Sequence, residues 1–237
     1  MVRFTLSGIP VSIRPTAVLT VLFLGWFGGY QRPGTMGVWI AVVFASLMVH
    51  ELGHALTARS LGAPTVEIEL NGFGGLTLWT SPRGGISPGR RALVAAAGSA
   101  AGFGFAGLAW AVSEIWGPFT GHGGLAVRLL IYANVFWGLL NWLPFRPLDG
   151  GHLLLALLAR VAPIRGQTIA RATFIVTAAL AVAAAFRFGF PFAGVFAVWL
   201  LGSELGLVDR MTASPPPFGY DDEDEEEVGA GEPEPAD

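Results

Sequence analysis

The chain contains no cysteine and no lysine. Without cysteine it forms no disulfide, and no thiolate can hold a metal. Any metal must therefore be bound by His, Asp or Glu. Without lysine, all 14 basic residues are arginine, which reads as a bias of coding composition with no function attached. Charge of either sign is also scarce. Charged residues make up 13% of the 237 positions and hydrophobic residues 53%, whereas about a quarter of a soluble domain is charged. That balance excludes an ordinary soluble fold. What is present instead is a series of apolar runs, each near the ~20 residues that cross a bilayer.

The few charges are unevenly placed. Residues 1–219 hold 14 Arg against 7 acids, a net +7, while residues 220–237 hold 10 acids and no base, a net −10. The second part, YDDEDEEEVGAGEPEPAD, follows a PPP run and carries almost no large apolar side chain. Residues 209–237 are therefore expected to form a disordered acidic tail behind a membrane domain at 1–208. The opening MVRFTLSGIPVSIRP lacks the basic-then-apolar order of a cleavable signal peptide.

The expected fold class is an all-α polytopic membrane protein, a six-transmembrane-helix bundle with short membrane-associated β-strands. The spans fall at about 15–31, 37–59, 91–113, 125–145, 168–187 and 189–208. The third is rich in Gly and Ala, which suits close helix contacts. The apolar stretch 150–162 is too short to cross alone; it extends the fourth span or lies at the interface. FTLSGIPVSI, before the first span, reads as a strand. VEIEL at 66–70 alternates apolar with acidic residues, and LTLW follows NGFGG, so this segment reads as a hairpin.

Arginine placement orients such a bundle. With six spans, one side holds Arg3, Arg14, Arg59, Arg83, Arg90, Arg91, Arg146, Arg160, Arg165, Arg171 and Arg210, and the other holds Arg32, Arg128 and Arg187. Eleven against three makes the first side cytoplasmic, with both termini there. The expected location is the cell membrane, multi-pass.

Within the second span lies MVHELGHAL, residues 48–56. His50 and His54 are four residues apart, one helical turn, so both imidazoles project from one face. His-Glu-x-x-His on a helix is a zinc-site signature with the glutamate as general base. Ionisable residues inside spans are rare and functional by default, and Glu51 is one of only seven acids in residues 1–219. A catalytic zinc takes three protein ligands and a water, so a third ligand is required. His122 lies in the outward loop 114–124, on the wrong side. Asp149 and His152, just past the fourth span in NWLPFRPLDGGH, are both on the cytoplasmic side with His50 and His54. Glu204, in the sixth span, either snorkels near the cytoplasmic end or faces the cavity. Glu67 and Glu69 read as a solvated strand face.

Two motifs, HELGH at 50–54 and N-x-x-P-x-x-x-x-D-G at 141–150 (NWLPFRPLDG), together resemble the site-2 protease family of intramembrane zinc metalloproteases. GIPVSIRP and NGFGG extend the resemblance to the compact six-span bacterial and archaeal branch, over most of residues 1–208. The resemblance implies one Zn²⁺ per chain, held by His50, His54 and Asp149. It implies that Glu51 activates water and that Asn141 sits near the scissile carbonyl. The hairpin around Asn71, Gly74 and Gly75 would bind substrate in extended form, as an added strand. The implied partners are the lipid bilayer and a transmembrane substrate protein, for example a membrane-anchored regulator, with no nucleic acid. The family often has Gly-Pro followed by Asn in its third span; here the stretch AGSAAG at 97–102 has neither Pro nor Asn. Without the glutamate's role, the same ligands would describe a structural or transport metal site in a non-proteolytic membrane protein.

Overall fold

The structure, a computed structural model, describes residues 1–189 and 191–205. The expected acidic tail lies outside the described residues.

FTLSGIPVSI, expected as one strand, is a hairpin. β1 (Val2–Leu6) and β2 (Ile9–Ile13) pair antiparallel around Ser7 and Gly8. These two residues have φ of 51° and 77°, the consecutive left-handed pair that a tight two-residue hairpin turn demands. α1 (Pro15–Phe27) follows, starting at a proline preset for a helix's first turn. It ends ahead of Gly28 and Gly29, short of the expected residue 31, because Gly29 takes a left-handed φ of 89°. α2 (Pro33–Ser60) is the long central helix. β3 (Val66–Asn71) and β4 (Gly74–Trp79) form the expected second hairpin. The four strands make one sheet in the order β1-β2-β3-β4, with β2 and β3 parallel and Val11 opposite Ile68. Ile9, Val11, Ile68 and Leu70 turn inward and bury against Ala55 and Ala58, near the C-terminal end of α2. The sheet is thereby fixed to the helix that carries HELGH, with β1 and β4 as its two edges.

α3 (Pro88–Trp116), α4 (Gly121–Asn141), α5 (Asp149–Val161), α6 (Gly166–Phe188) and α7 (Pro191–Glu204) complete the described chain. At 1.5 Å per residue, α2, α3, α4 and α6 run about 42, 44, 32 and 35 Å, each longer than the ~30 Å hydrocarbon layer. These four are the described helices long and apolar enough to cross a membrane. α1 and α7 are shorter, about 20 and 21 Å. The fourth expected span stops at Asn141 instead of 145, and 150–162 is a separate helix, α5. Pro144 and Pro147, in the seven residues between them, supply no backbone N–H to a continuing helix.

α2, α3 and α4 pack mutually, α5 lies against α3, and α6 pairs with α7. α3 faces its neighbours with Gly98, Ser99, Gly102, Ala106 and Ala109, all buried. Small residues let helix backbones approach closely where lipid offers no hydrophobic drive.

Candidate metal centre

One turn of α2 brings His50 and His54 to the same buried face, with Glu51 beside them. Asp149 reaches them from the first residue of α5. Gly150 and Gly151 make this approach possible: a Cβ on the first would meet the Trp142 carbonyl, and one on the second the Phe145 carbonyl. The start of α5 is thus pressed onto the turn that ends α4. A carboxylate in a helix's first turn also gains from the helix dipole.

The donor atoms converge. The two imidazole Nε2 atoms are 3.1 Å apart. Asp149 Oδ2 is 3.3 Å from His50 Nε2, and Oδ1 is 3.2 Å from His54 Nε2. Ligands at ~2.0–2.1 Å from a tetrahedral zinc stand about 3.3–3.4 Å from one another. The Asp149 carboxylate sets a different oxygen toward each imidazole, one donor atom from each of the three residues lies within 4.8 Å of the others, and with no cysteine in the chain the set fits zinc by ligand type. Among the described residues these three form the group able to hold a metal ion. His54 Nδ1 donates to the Val94 carbonyl of α3 at 2.7 Å, which leaves Nε2 as the lone-pair donor. Gly98 of α3 leaves room for that imidazole, since a Cβ there would strike His54.

The other residues picked out from the sequence divide into two groups. Asn141 ends α4 within the site, its Nδ2 3.3 Å from His50 Nε2. Gly74, Gly75 and His152 line the same cavity of about 80 Å³ as His50, Glu51, His54 and Asp149. Gly75 is required by contact: a Cβ there would collide with the Glu51 carboxylate. Asn71 does not line the cavity; its side chain accepts from the Phe73 N–H at 2.9 Å and shapes the hairpin turn. Glu204 does not face the cavity either, and instead pairs, buried, with Arg146 at 3.4 Å. Glu69 is not a free solvated side chain but accepts from Arg14 at 2.7 Å. His122 stands against Gly34 at the start of α2, and the 19 helical steps from it to Asn141 along α4 amount to about 29 Å.

Two site residues were not singled out in the sequence. Thr77 of β4 is buried and donates to Glu51 Oε2 at 2.7 Å. Its hydroxyl holds the carboxylate beside the three ligands. Trp137 of α4 forms part of the cavity wall. Thr77 carries no signal in the sequence: in Leu76-Thr77-Leu78 the apolar alternation points it outward, whereas the structure buries it opposite Ile68 and leaves Leu78 exposed.

No family model matches the chain. Among curated proteins it is 29% identical over 176 residues to one from Mycobacterium tuberculosis named "Putative zinc metalloprotease Rip3", a match covering 65% of this chain and 42% of that one. It is 32% identical over 162 residues to a Synechocystis protein named "Putative zinc metalloprotease sll0528", covering 63% and 42%. It is 25% identical over 158 residues to "Zinc metalloprotease MJ0392" of Methanocaldococcus jannaschii, covering 66% and 45%. The chain thus spans less than half the length of these curated relatives. Among solved structures, the site-2 protease from Methanocaldococcus jannaschii superposes with a TM-score of 0.60 at 20% identity, over 86% of this chain and 94% of that one. At that identity, what the two share is the fold.

Proposed function

We propose that this chain, a relative of zinc metalloproteases with the site-2 protease fold, is an intramembrane zinc metalloprotease that hydrolyses a peptide bond in the membrane segment of another protein. The observation that carries the reading is the gathering of His50, His54 and Asp149 around one spot, with Glu51 and Asn141 at its edge. Bound by the three ligands, zinc supplies a water whose pKa falls to about 7 and a Lewis acid for a carbonyl.

The chain's own groups do the rest. Glu51, held by Thr77, takes a proton from the attacking water and passes it to the leaving amine. Asn141 donates from Nδ2 to the carbonyl oxygen as charge builds on it. The cavity of about 80 Å³ has room for water but is far smaller than the roughly 300–1,000 Å³ pockets that enclose a ligand. The substrate therefore lies outside it, extended along the open edge of β4, with only its scissile carbonyl turned in. Gly74 and Gly75 at the start of β4 keep that edge accessible from the side of Glu51. An extended segment exposes the peptide bond that a helix would shield.

The topology that goes with this reading has six spans, with α1 and segment 189–208 as the first and last. The arginine bias then puts both termini and the metal site on the cytoplasmic side, and the product is a cytoplasmic fragment of a membrane-anchored protein.

Glu51 separates this reading from a structural or transport metal site, which needs the ligands and not the base. In Glu51→Gln, cleavage of a membrane-anchored reporter is expected to fall by roughly 10²–10⁴, with bound zinc unchanged. Cleavage at the wild-type rate would remove Glu51 as the base and the mechanism with it.

A further inference from the structure

Ser99 lies in α3 within AGSAAG, the stretch that departs from the family's pattern, and is wholly buried. Its Oγ is 3.3 Å from Asp149 Oδ2 and 3.4 Å from the Gly138 carbonyl. It has one proton for two acceptors, and the charged carboxylate is the stronger of them. Two other residues on the same side of α3 serve the same site. Val94 accepts from His54 Nδ1, and Gly98 makes room for the His54 ring. α3 contributes no metal ligand, yet it backs two of the three.

The Asp149 carboxylate needs such backing. Rotation about its terminal torsion is soft, with broad two-fold minima. In the structure the carboxylate straddles the two imidazoles, one oxygen toward each. A hydroxyl proton on Oδ2 occupies a lone pair of that oxygen and fixes the plane of the group. Metal ligands are commonly oriented by such outer contacts, whose removal costs about 10–100-fold in metal affinity.

We propose that Ser99 is a positioning residue that sets the rotation of the Asp149 carboxylate at the metal site. This rests on the reading of His50, His54 and Asp149 as the ligands.

The test compares Ser99→Ala with Ser46→Ala in the full chain, purified in detergent. Ser46 is a comparable deletion whose hydroxyl bonds no ligand: it is buried on α2, one turn before His50, and accepts from Asn134 Nδ2 at 2.9 Å. Alanine favours helix more than serine does, so both variants are expected to fold, and melting curves check this. Zinc affinity is measured by competition with a chromophoric chelator, and ligand geometry from the visible spectrum of the Co²⁺-loaded chain. Ser99→Ala is expected to bind zinc about tenfold or more weakly and to shift the Co²⁺ bands. Ser46→Ala is expected to match the wild type in both. Wild-type affinity and spectrum in Ser99→Ala would overturn the proposal, as would equal weakening in the two variants, which would mark a general packing effect. If the wild-type chain itself binds neither metal, the metal reading falls and this inference with it; metal bound by the wild type keeps the two failures apart.

Discussion

At the scale of single residues, the site depends on hydroxyls and glycines as much as on the ligands. HELGH was legible because helical spacing alone puts His50 and His54 on one face. Asp149 was legible only as one of two cytoplasmic candidates until its motif was matched as a whole. Thr77, Ser99 and Gly98 were not legible. Their roles depend on contacts across 26, 50 and 44 positions of sequence, which no local period encodes. Thr77 can be tested directly. Thr77→Val keeps the branched shape and deletes the hydroxyl 2.7 Å from Glu51 Oε2. The carboxylate then loses a charge-assisted bond of about 1.5–3 kcal/mol and with it a fixed position. Turnover is expected to fall about tenfold or more, in line with the 1.4 kcal/mol that each factor of ten represents. Zinc content should stay at the wild-type level, because Thr77 touches no ligand. Partial recovery in Thr77→Ser would tie the effect to the hydroxyl; unchanged turnover in Thr77→Val would remove Thr77 from the mechanism.

At the scale of elements, the departures from expectation have a common cause. Hydropathy marks where apolar residues run but not where a helix breaks within or beside them. α1 stops at the Gly28–Gly29 pair, and α4 stops at Asn141 before two prolines. FTLSGIPVSI looks like one strand because both of its arms are extended, and only the left-handed pair at Ser7 and Gly8 reveals the turn. The 66–79 hairpin was legible because VEIEL alternates strongly and a glycine-rich turn follows it, although in β4 the buried phase falls on Thr77 and not on Leu78. The break between α4 and α5 matters most for the site, because it turns the chain and delivers Asp149. Gly151 is the tightest point of that turn, against the Phe145 carbonyl. A methyl added there has no flexible neighbour to push aside, so backbone must move. Overpacking of this kind costs about 1–3 kcal/mol. Gly151→Ala is expected to lower thermal stability in detergent and, by displacing the first turn of α5, to weaken zinc binding as well. A variant with full stability and full zinc affinity would show that α5 is not held as tightly as the structure has it.

At the scale of the whole molecule, the fold places the metal site toward one end of a set of long apolar helices. The sheet sits at that end: Arg59, near the end of α2, donates to the Ser7 carbonyl of the β1–β2 turn at 2.7 Å. The turn before α4 lies at the other end, about 32 Å along that helix from Asn141. For the proposed protease, a site placed off-centre would give orientation a functional meaning, since it would decide on which side a cleaved fragment is released. In the proposed topology, the arginine bias places the sheet and the metal-site end of these helices on the cytoplasmic side. Because the chain has no cysteine, one introduced thiol reports alone. Thr5 on β1 and Thr120 before α4 are both exposed and lie at opposite ends. With a membrane-impermeant maleimide, Thr120→Cys is expected to label in right-side-out vesicles and Thr5→Cys only in inside-out vesicles. The reverse pattern would invert the orientation and move the site to the outer face. Labelling of both from one side would leave an odd number of crossings between residues 5 and 120 impossible, and α1, α2 and α3 would then not all be spans.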